Sequence, residues 1–166
     1  MFTLHGPAEN LVGCLSPEFS RVSALMPKNV CIVAIERVTS LSQQDGEYHK
    51  RLAELSSSED GTPPPTRELF HGTKSSNVDS ILSIGLQSAF NRTSMLGKGT
   101  YFSPKLELSL YTYTDVCHAS KHSYVFLCDV IEKDTKCNSE KTIFVTPRDD
   151  SFRIKYLICF HKGQAY

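Results

Sequence analysis

The most constraining feature of this chain is the apolar run at residues 30–35, Val-Cys-Ile-Val-Ala-Ile, which leads into Glu36-Arg37-Val38. Its β-branched residues follow one another without the three- and four-residue spacing of a surface helix, so it predicts a buried strand. It is also the longest uninterrupted apolar run, about a third of what a membrane-spanning helix requires. Similar strand-like runs recur at residues 124–131, 142–146 and 154–161, with a shorter one at 68–73. Strands outnumber helices, the two do not alternate regularly, and no internal repeat is visible. That pattern predicts an α+β fold with largely antiparallel sheets. At 40% hydrophobic and 22% charged, 166 residues can bury the core of one globular domain. With 18 basic against 18 acidic side chains, the bulk attraction behind non-specific nucleic-acid binding is missing. No nucleic-acid or membrane partner is expected.

Helical signals are fewer. Tyr48, Leu52 and Leu55 recur at helical spacing over residues 47–55. Ser76-Asn77-Val78-Asp79 has the spacing of a capping box, Val78, Ile81 and Leu82 share the face of the helix it would open, and Gly85 would stop it. Between them a polar loop at 56–66, with three consecutive prolines, reads as a surface excursion. Leu106, Leu108 and Leu110 alternate, yet with Ser109, Tyr111 and Tyr113 the window reads as a helix packed on two sides. Residues 1–19 predict an irregular arm ahead of a domain at 20–163, and the chain opens without the basic start and apolar block of a secretory signal. Six cysteines, Cys14, Cys31, Cys117, Cys128, Cys137 and Cys159, form no Cys-x-x-Cys pair, and Cys31, Cys128 and Cys159 fall in apolar runs as reduced core thiols. Cys117, His118, His122 and Cys128 match the spacing of no zinc finger or ribbon, so no metal is expected. Unpaired cysteines and absent signals predict the cytoplasm or nucleus, where the Asn91-Arg92-Thr93 sequon is accidental.

The simple enzyme motifs fail. Gly97-Lys98-Gly99-Thr100 has Arg92 where a phosphate loop needs its first glycine and Gly99 where it needs Ser or Thr. No Gly-x-Gly-x-x-Gly opens a helix after a strand, and no Gly-x-Ser-x-Gly is present. Alone, His71 is an ordinary strand-end histidine and Tyr101 a strand aromatic. Their joint arrangement says more: Leu69-Phe70-His71-Gly72-Thr73, a helix ending at Gly85, a loop, then Gly97-Lys98-Gly99-Thr100-Tyr101-Phe102-Ser103. This order resembles the catalytic domain of the poly(ADP-ribose) polymerase family, the diphtheria-toxin-like ADP-ribosyltransferases. Met26-Pro27-Lys28 with Ala34-Ile35-Glu36-Arg37-Val38 is similar to the family's opening strand, and Ile154-Lys155-Tyr156-Leu157-Ile158 to its closing one.

The resemblance implies two packed antiparallel β-sheets with flanking helices, and NAD+ as co-substrate in the cleft between them. His71 would bond the adenine-side ribose, with Thr73 helping. Gly72 would grip the nicotinamide carboxamide through its backbone, an approach that a side chain would obstruct. Ser109 would bond the same carboxamide. Tyr101 would lie on one face of the nicotinamide ring, and Tyr113, or failing it Tyr111, on the other. The family's third signature residue is Glu in chain-elongating members. Counting back from Lys155-Tyr156-Leu157 without a gap puts Ile143 there, so the triad is His71, Tyr101 and Ile143. Such a triad resembles the mono-ADP-ribosyltransferases of the family.

Isoleucine can neither orient a ribose nor take a proton, so polymer growth on a hydroxyl should fail. A Glu or Asp acceptor is already an anion and can attack unaided. Glu140 would reach the third place only by a slip of three residues, which inverts the inward-facing set. The expected function is transfer of one ADP-ribose from NAD+ to protein side chains, the chain itself included, by a monomer. The alternative is a catalytically inactive NAD+ or ADP-ribose binding or interaction module of the same fold. Lys98 is read either as a phosphate or acceptor contact or as a solvated lysine, and the loop at 87–96 as a short donor loop. A regulatory helical domain has no room ahead of His71, so activation by DNA breaks is not expected.

Overall fold

The apolar runs become the long strands of a computed structural model that describes residues 4–57, 59–87, 96–106 and 121–162. The described strands are β1 (Val30–Arg37), β2 (Thr66–Gly72), β3 (Thr100–Phe102), β4 (Ser123–Ile131), β5 (Lys136–Cys137), β6 (Phe144–Thr146) and β7 (Phe152–Lys162). They form two antiparallel sheets, one in the order β1-β7-β4-β2 and one in the order β3-β6-β5. The helices are α1 (Pro17–Ser23), α2 (Ser42–Leu55) and α3 (Val78–Ile84). The α+β reading with two antiparallel sheets is borne out.

β4 and β7 read as continuous apolar runs because both faces of their sheet are covered. Phe126, Cys128 and Val130 of β4 join Leu69, Phe102 and Phe144 in the core between the sheets, closed by Val78 and Ile81 of α3. Val125 and Leu127 point the other way and pack with Ile35 and Ile158 against Val12, Val22 and Met26. The opening segment is therefore tied down. Val12 donates its N–H to the Ile35 carbonyl at 2.8 Å, and Ser16 caps α1 by accepting from Phe19 N at 3.1 Å. Ser16-Pro17 is a helix-start signal lying inside the stretch predicted to be irregular.

Other differences have local causes. α2 begins at Ser42, five residues ahead of the periodic stretch, because its first turn is polar and shows no apolar spacing. The capping box ahead of α3 does not form. A 3-10 turn at Ser75–Asn77 precedes the helix, and Asp79, the residue that would reach back, instead accepts from His5 Nδ1 at 3.0 Å. Cys31 is exposed near the start of edge strand β1, whereas Cys128 and Cys159 are buried thiols as expected. Burial raises the pKa of both, Cys159 to about 12.

One ion pair connects α2 to the second sheet. Arg51 donates Nε to Asp134 Oδ2 at 2.9 Å and Nη2 to Oδ1 at 2.8 Å, and Ser151 Oγ adds a third bond at 2.7 Å. Asp134 returns the connection through its carbonyl, which accepts from Thr146 Oγ1 of β6. The Arg51 hydrogen bonds hold the Asp134 carboxyl below the usual aspartate range. Its contribution to stability is then complete above the unfolded aspartate pKa of about 4 and disappears as pH falls through the lower folded value. Asp134→Asn should lower stability at neutral pH, since Arg51 keeps only its Glu54 carboxylate and Ser151 loses a charged acceptor, and should flatten the loss of stability below about pH 4. Urea denaturation of both proteins across that pH range measures each effect.

Candidate active site

The two sheets meet where β2 ends. Phe70 N donates to the Ser103 carbonyl at 2.8 Å and Ser103 N returns the bond at 2.9 Å, so the edge strand of the large sheet continues onto the end of β3. The next residue, His71, donates Nδ1–H to the Tyr101 carbonyl at 2.8 Å and sets its ring edge-on to Phe102, with centroids 5.7 Å apart. A carbonyl only accepts, so this bond places the proton on Nδ1 and leaves Nε2 with the lone pair. Desolvation lowers the His71 pKa below the ordinary imidazole value and outweighs the Tyr101 bond, which raises it. His71 is therefore neutral at physiological pH.

A cleft of about 390 Å³ opens beside it, lined by His71, Thr73, Asn77, Ser80, Gly85 and Gln87 among others. Thr73 is buried within the wall, and α3 supplies the opposite side through Ile81 and Ile84. The volume is that of an ordinary small-molecule site. Asn77, Ser80 and Gln87 carry no pattern that would have singled them out in the sequence.

Tyr101 sits at the centre of β3, paired with Val145 of β6, and its hydroxyl donates to the Gly97 carbonyl. Gly97 has φ +93°, the left-handed region that favours glycine. Gly99 is required for a different reason: a Cβ there would lie 2.6 Å from the Thr146 carbonyl oxygen and 2.7 Å from Val145 Cγ2. Gly97 thus serves the turn and Gly99 the packing of β3 on β6. Lys98 between them is exposed.

Ile143 stands immediately before β6, half-buried, two residues from Val145. Alternation carried one residue beyond the start of β6 would set it on the side of Val145 and Tyr101. Asn138 closes the hairpin that carries it: Oδ1 accepts from Thr142 N at 2.8 Å and Ile143 N at 3.0 Å, while Asn138 N donates to the Ile143 carbonyl at 3.1 Å. An Asn ahead of a polar turn is the available sequence signal for this closure. The structure thus brings His71, Gly72, Thr73 and Tyr101 together and sets Ile143 beside Val145. Ser109, Tyr111 and Tyr113, with Cys117 and His118, lie outside the described residues, as does most of the loop at 87–96. Among the described residues, no three His, Cys, Asp or Glu side chains cluster as metal ligands.

Gly99→Ala should destabilise the domain by about 2 kcal/mol, because its Cβ drives β3 off β6, and should lower any activity that depends on Tyr101. Lys98→Ala should change stability by less than about 0.5 kcal/mol. Paired thermal denaturation curves of the two variants test this.

The family model described as the poly(ADP-ribose) polymerase catalytic domain matches residues 16–135, a span that includes His71, Gly72, Thr73 and Tyr101 and ends before Ile143. Among curated proteins, the chain is similar to protein mono-ADP-ribosyltransferase PARP16 of mouse, at 29% identity over 126 residues. That alignment covers 57% of this chain and 39% of the mouse protein. It is also similar to protein mono-ADP-ribosyltransferase PARP16 of human, at 38% identity over 80 residues, covering 43% of this chain and 24% of the human protein. The matched region is thus less than half the length of either relative.

Proposed function

The chain belongs to the poly(ADP-ribose) polymerase catalytic-domain family, and from that premise we propose that it is a mono-ADP-ribosyltransferase, taking NAD+ as substrate and protein carboxylates as acceptors. The observation that carries the reading is the bond from His71 to the Tyr101 carbonyl, which presents a neutral imidazole on the wall of the cleft. Its Nε2 lone pair would accept from a hydroxyl of the adenine-side ribose. Gly72 and Ser109 would hold the nicotinamide carboxamide, and Tyr101 would lie against the ring, with Tyr113 or Tyr111 on the other face.

With both ends of NAD+ held, the bond between nicotinamide nitrogen and ribose breaks, the electron pair leaving with neutral nicotinamide. Positive charge develops on the ribose carbon, and an acceptor Glu or Asp carboxylate forms the new carbon–oxygen bond, giving an ester. A carboxylate acceptor needs no base. A ribose hydroxyl does, and Ile143 offers neither a proton acceptor nor a charge at the third position of the triad. The reaction therefore stops after one unit. The names of the two relatives support the same reading. Ile143 also favours a second reading, a module that binds NAD+ without turnover, because an aliphatic residue entering a strand is ordinary packing.

Incubation of the protein with NAD+ should add one ADP-ribose unit by intact mass, and His71→Ala should lower the rate about 10- to 100-fold, as the loss of a half-buried hydrogen-bonding group allows. No added mass, with thermal stabilisation by NAD+ retained, would identify the binding module. The pH dependence is separately diagnostic. Since His71 titrates below the ordinary imidazole value of about 6.5, the KM for NAD+ should be flat from pH 8 down to that value and rise only at lower pH, where protonated Nε2 can no longer accept. A rise already complete at pH 7 would contradict the assigned protonation state.

A further inference from the structure

The register of the small sheet places one cation on the same face as the catalytic tyrosine. Tyr101 of β3 pairs with Val145 of β6, and Val145 pairs with Lys136 of β5. Directly opposed residues of antiparallel strands project to the same side, so the three form one row across the sheet. Two strand spacings separate Lys136 from Tyr101, about 10 Å between backbones, and an extended lysine spans more than half of that. Lys136 is exposed and forms no salt bridge among the described residues. Ile143, two residues before Val145, belongs to the same face, and the Asn138 clamp holds the connecting hairpin closed. The neighbouring Lys141 lines a separate cavity on the Phe144 side, with Arg67 and Leu69.

We propose that Lys136 is a specificity-determining residue of the transferase reaction, an ammonium on the Tyr101 face that recruits acidic acceptor segments to the position of the missing glutamate. This inference rests on the transferase reading above. The chemistry is complementary: where elongating relatives carry a carboxylate at the third position, this chain has an aliphatic residue with a cation beside it, and that combination attracts a carboxylate brought by the acceptor. The pair forms at the rim, so its effect falls on acceptor KM and weakens with salt.

The test uses peptides with one acceptor Glu flanked by either Asp or Ser residues. The wild type should show an acceptor KM about 5-fold lower for the Asp-flanked peptide at low ionic strength, the scale of an exposed ion pair. Lys136→Gln should abolish the difference and Lys136→Glu should reverse it, both leaving the KM for NAD+ and the rate of NAD+ hydrolysis unchanged. Lys141→Gln, a charge-matched change on the opposite face, should keep the wild-type preference. Peptide binding by fluorescence anisotropy, with nicotinamide present and no turnover, should follow the same order. Transfer that proceeds equally on both peptides in the wild type, or a preference that survives Lys136→Glu, overturns the role of Lys136 while the transferase reading stands. Absence of any transfer together with equal binding of the two peptides overturns both.

Discussion

The structure depends on one junction, where the edge of the large sheet crosses to the small one. Two reciprocal main-chain hydrogen bonds between Phe70 and Ser103 make the crossing, and the His71 bond to the Tyr101 carbonyl secures it one residue further on. A histidine and a tyrosine thirty residues apart in sequence are held side by side because their strands share this edge. The same bond determines the imidazole tautomer, so backbone connection and protonation chemistry are one feature. Losing it would free the imidazole to take the other tautomer.

A junction between two short strands cannot be stable alone, and the rest of the fold supports it. β4 is buried on both faces: Phe126 and Val130 form the core shared with the small sheet, and Val125 and Leu127 are covered by the opening segment and α1. α1 is held by charge as well as by packing, since Glu18 accepts from Arg37 and from the Tyr156 hydroxyl, and Arg21 pairs with Glu68. At the far end of the small sheet, Arg51 and Asp134 tie α2 to the turn before β5. Gly99 lets the chain entering β3 approach β6 closely enough for Tyr101 to pair with Val145, and Gly97 supplies the left-handed turn ahead of it.

The site that results is asymmetric in chemistry. Its His71 side is a walled cleft with neutral polar groups from α3, suited to holding a nucleotide by hydrogen bonds. Its β6 side has buried Val145 beside Tyr101, half-buried Ile143 just ahead of the strand, and exposed Lys136 one strand further on. Under the proposed function, that asymmetry divides donor binding from acceptor binding.

Much of this was legible in the sequence, and the parts that were not share a cause. Strands β4 and β7 were visible as apolar runs because burial on both faces removes most polar interruptions, and the edge strands β1 and β2 through their buried stretches at residues 34–36 and 69–70. His71-Gly72-Thr73 and Gly97-Lys98-Gly99-Thr100-Tyr101 were legible as a joint pattern. α1 went unread although Ser16-Pro17 marked its start, the first turn of α2 has no apolar spacing, and β5 is two residues long, too short for any period to show. Asp79 illustrates the limit from the other side: its spacing promised a capping box, but a histidine more than seventy residues upstream in the chain claimed its carboxylate. Residue order by itself determined the strands, the fold class and the set of chemical groups available. Only the tertiary structure decided which of them meet, that His71 is neutral with its proton on Nδ1, and that Lys136 shares a face with Tyr101, because strand register and burial arise from contacts between segments far apart in the chain.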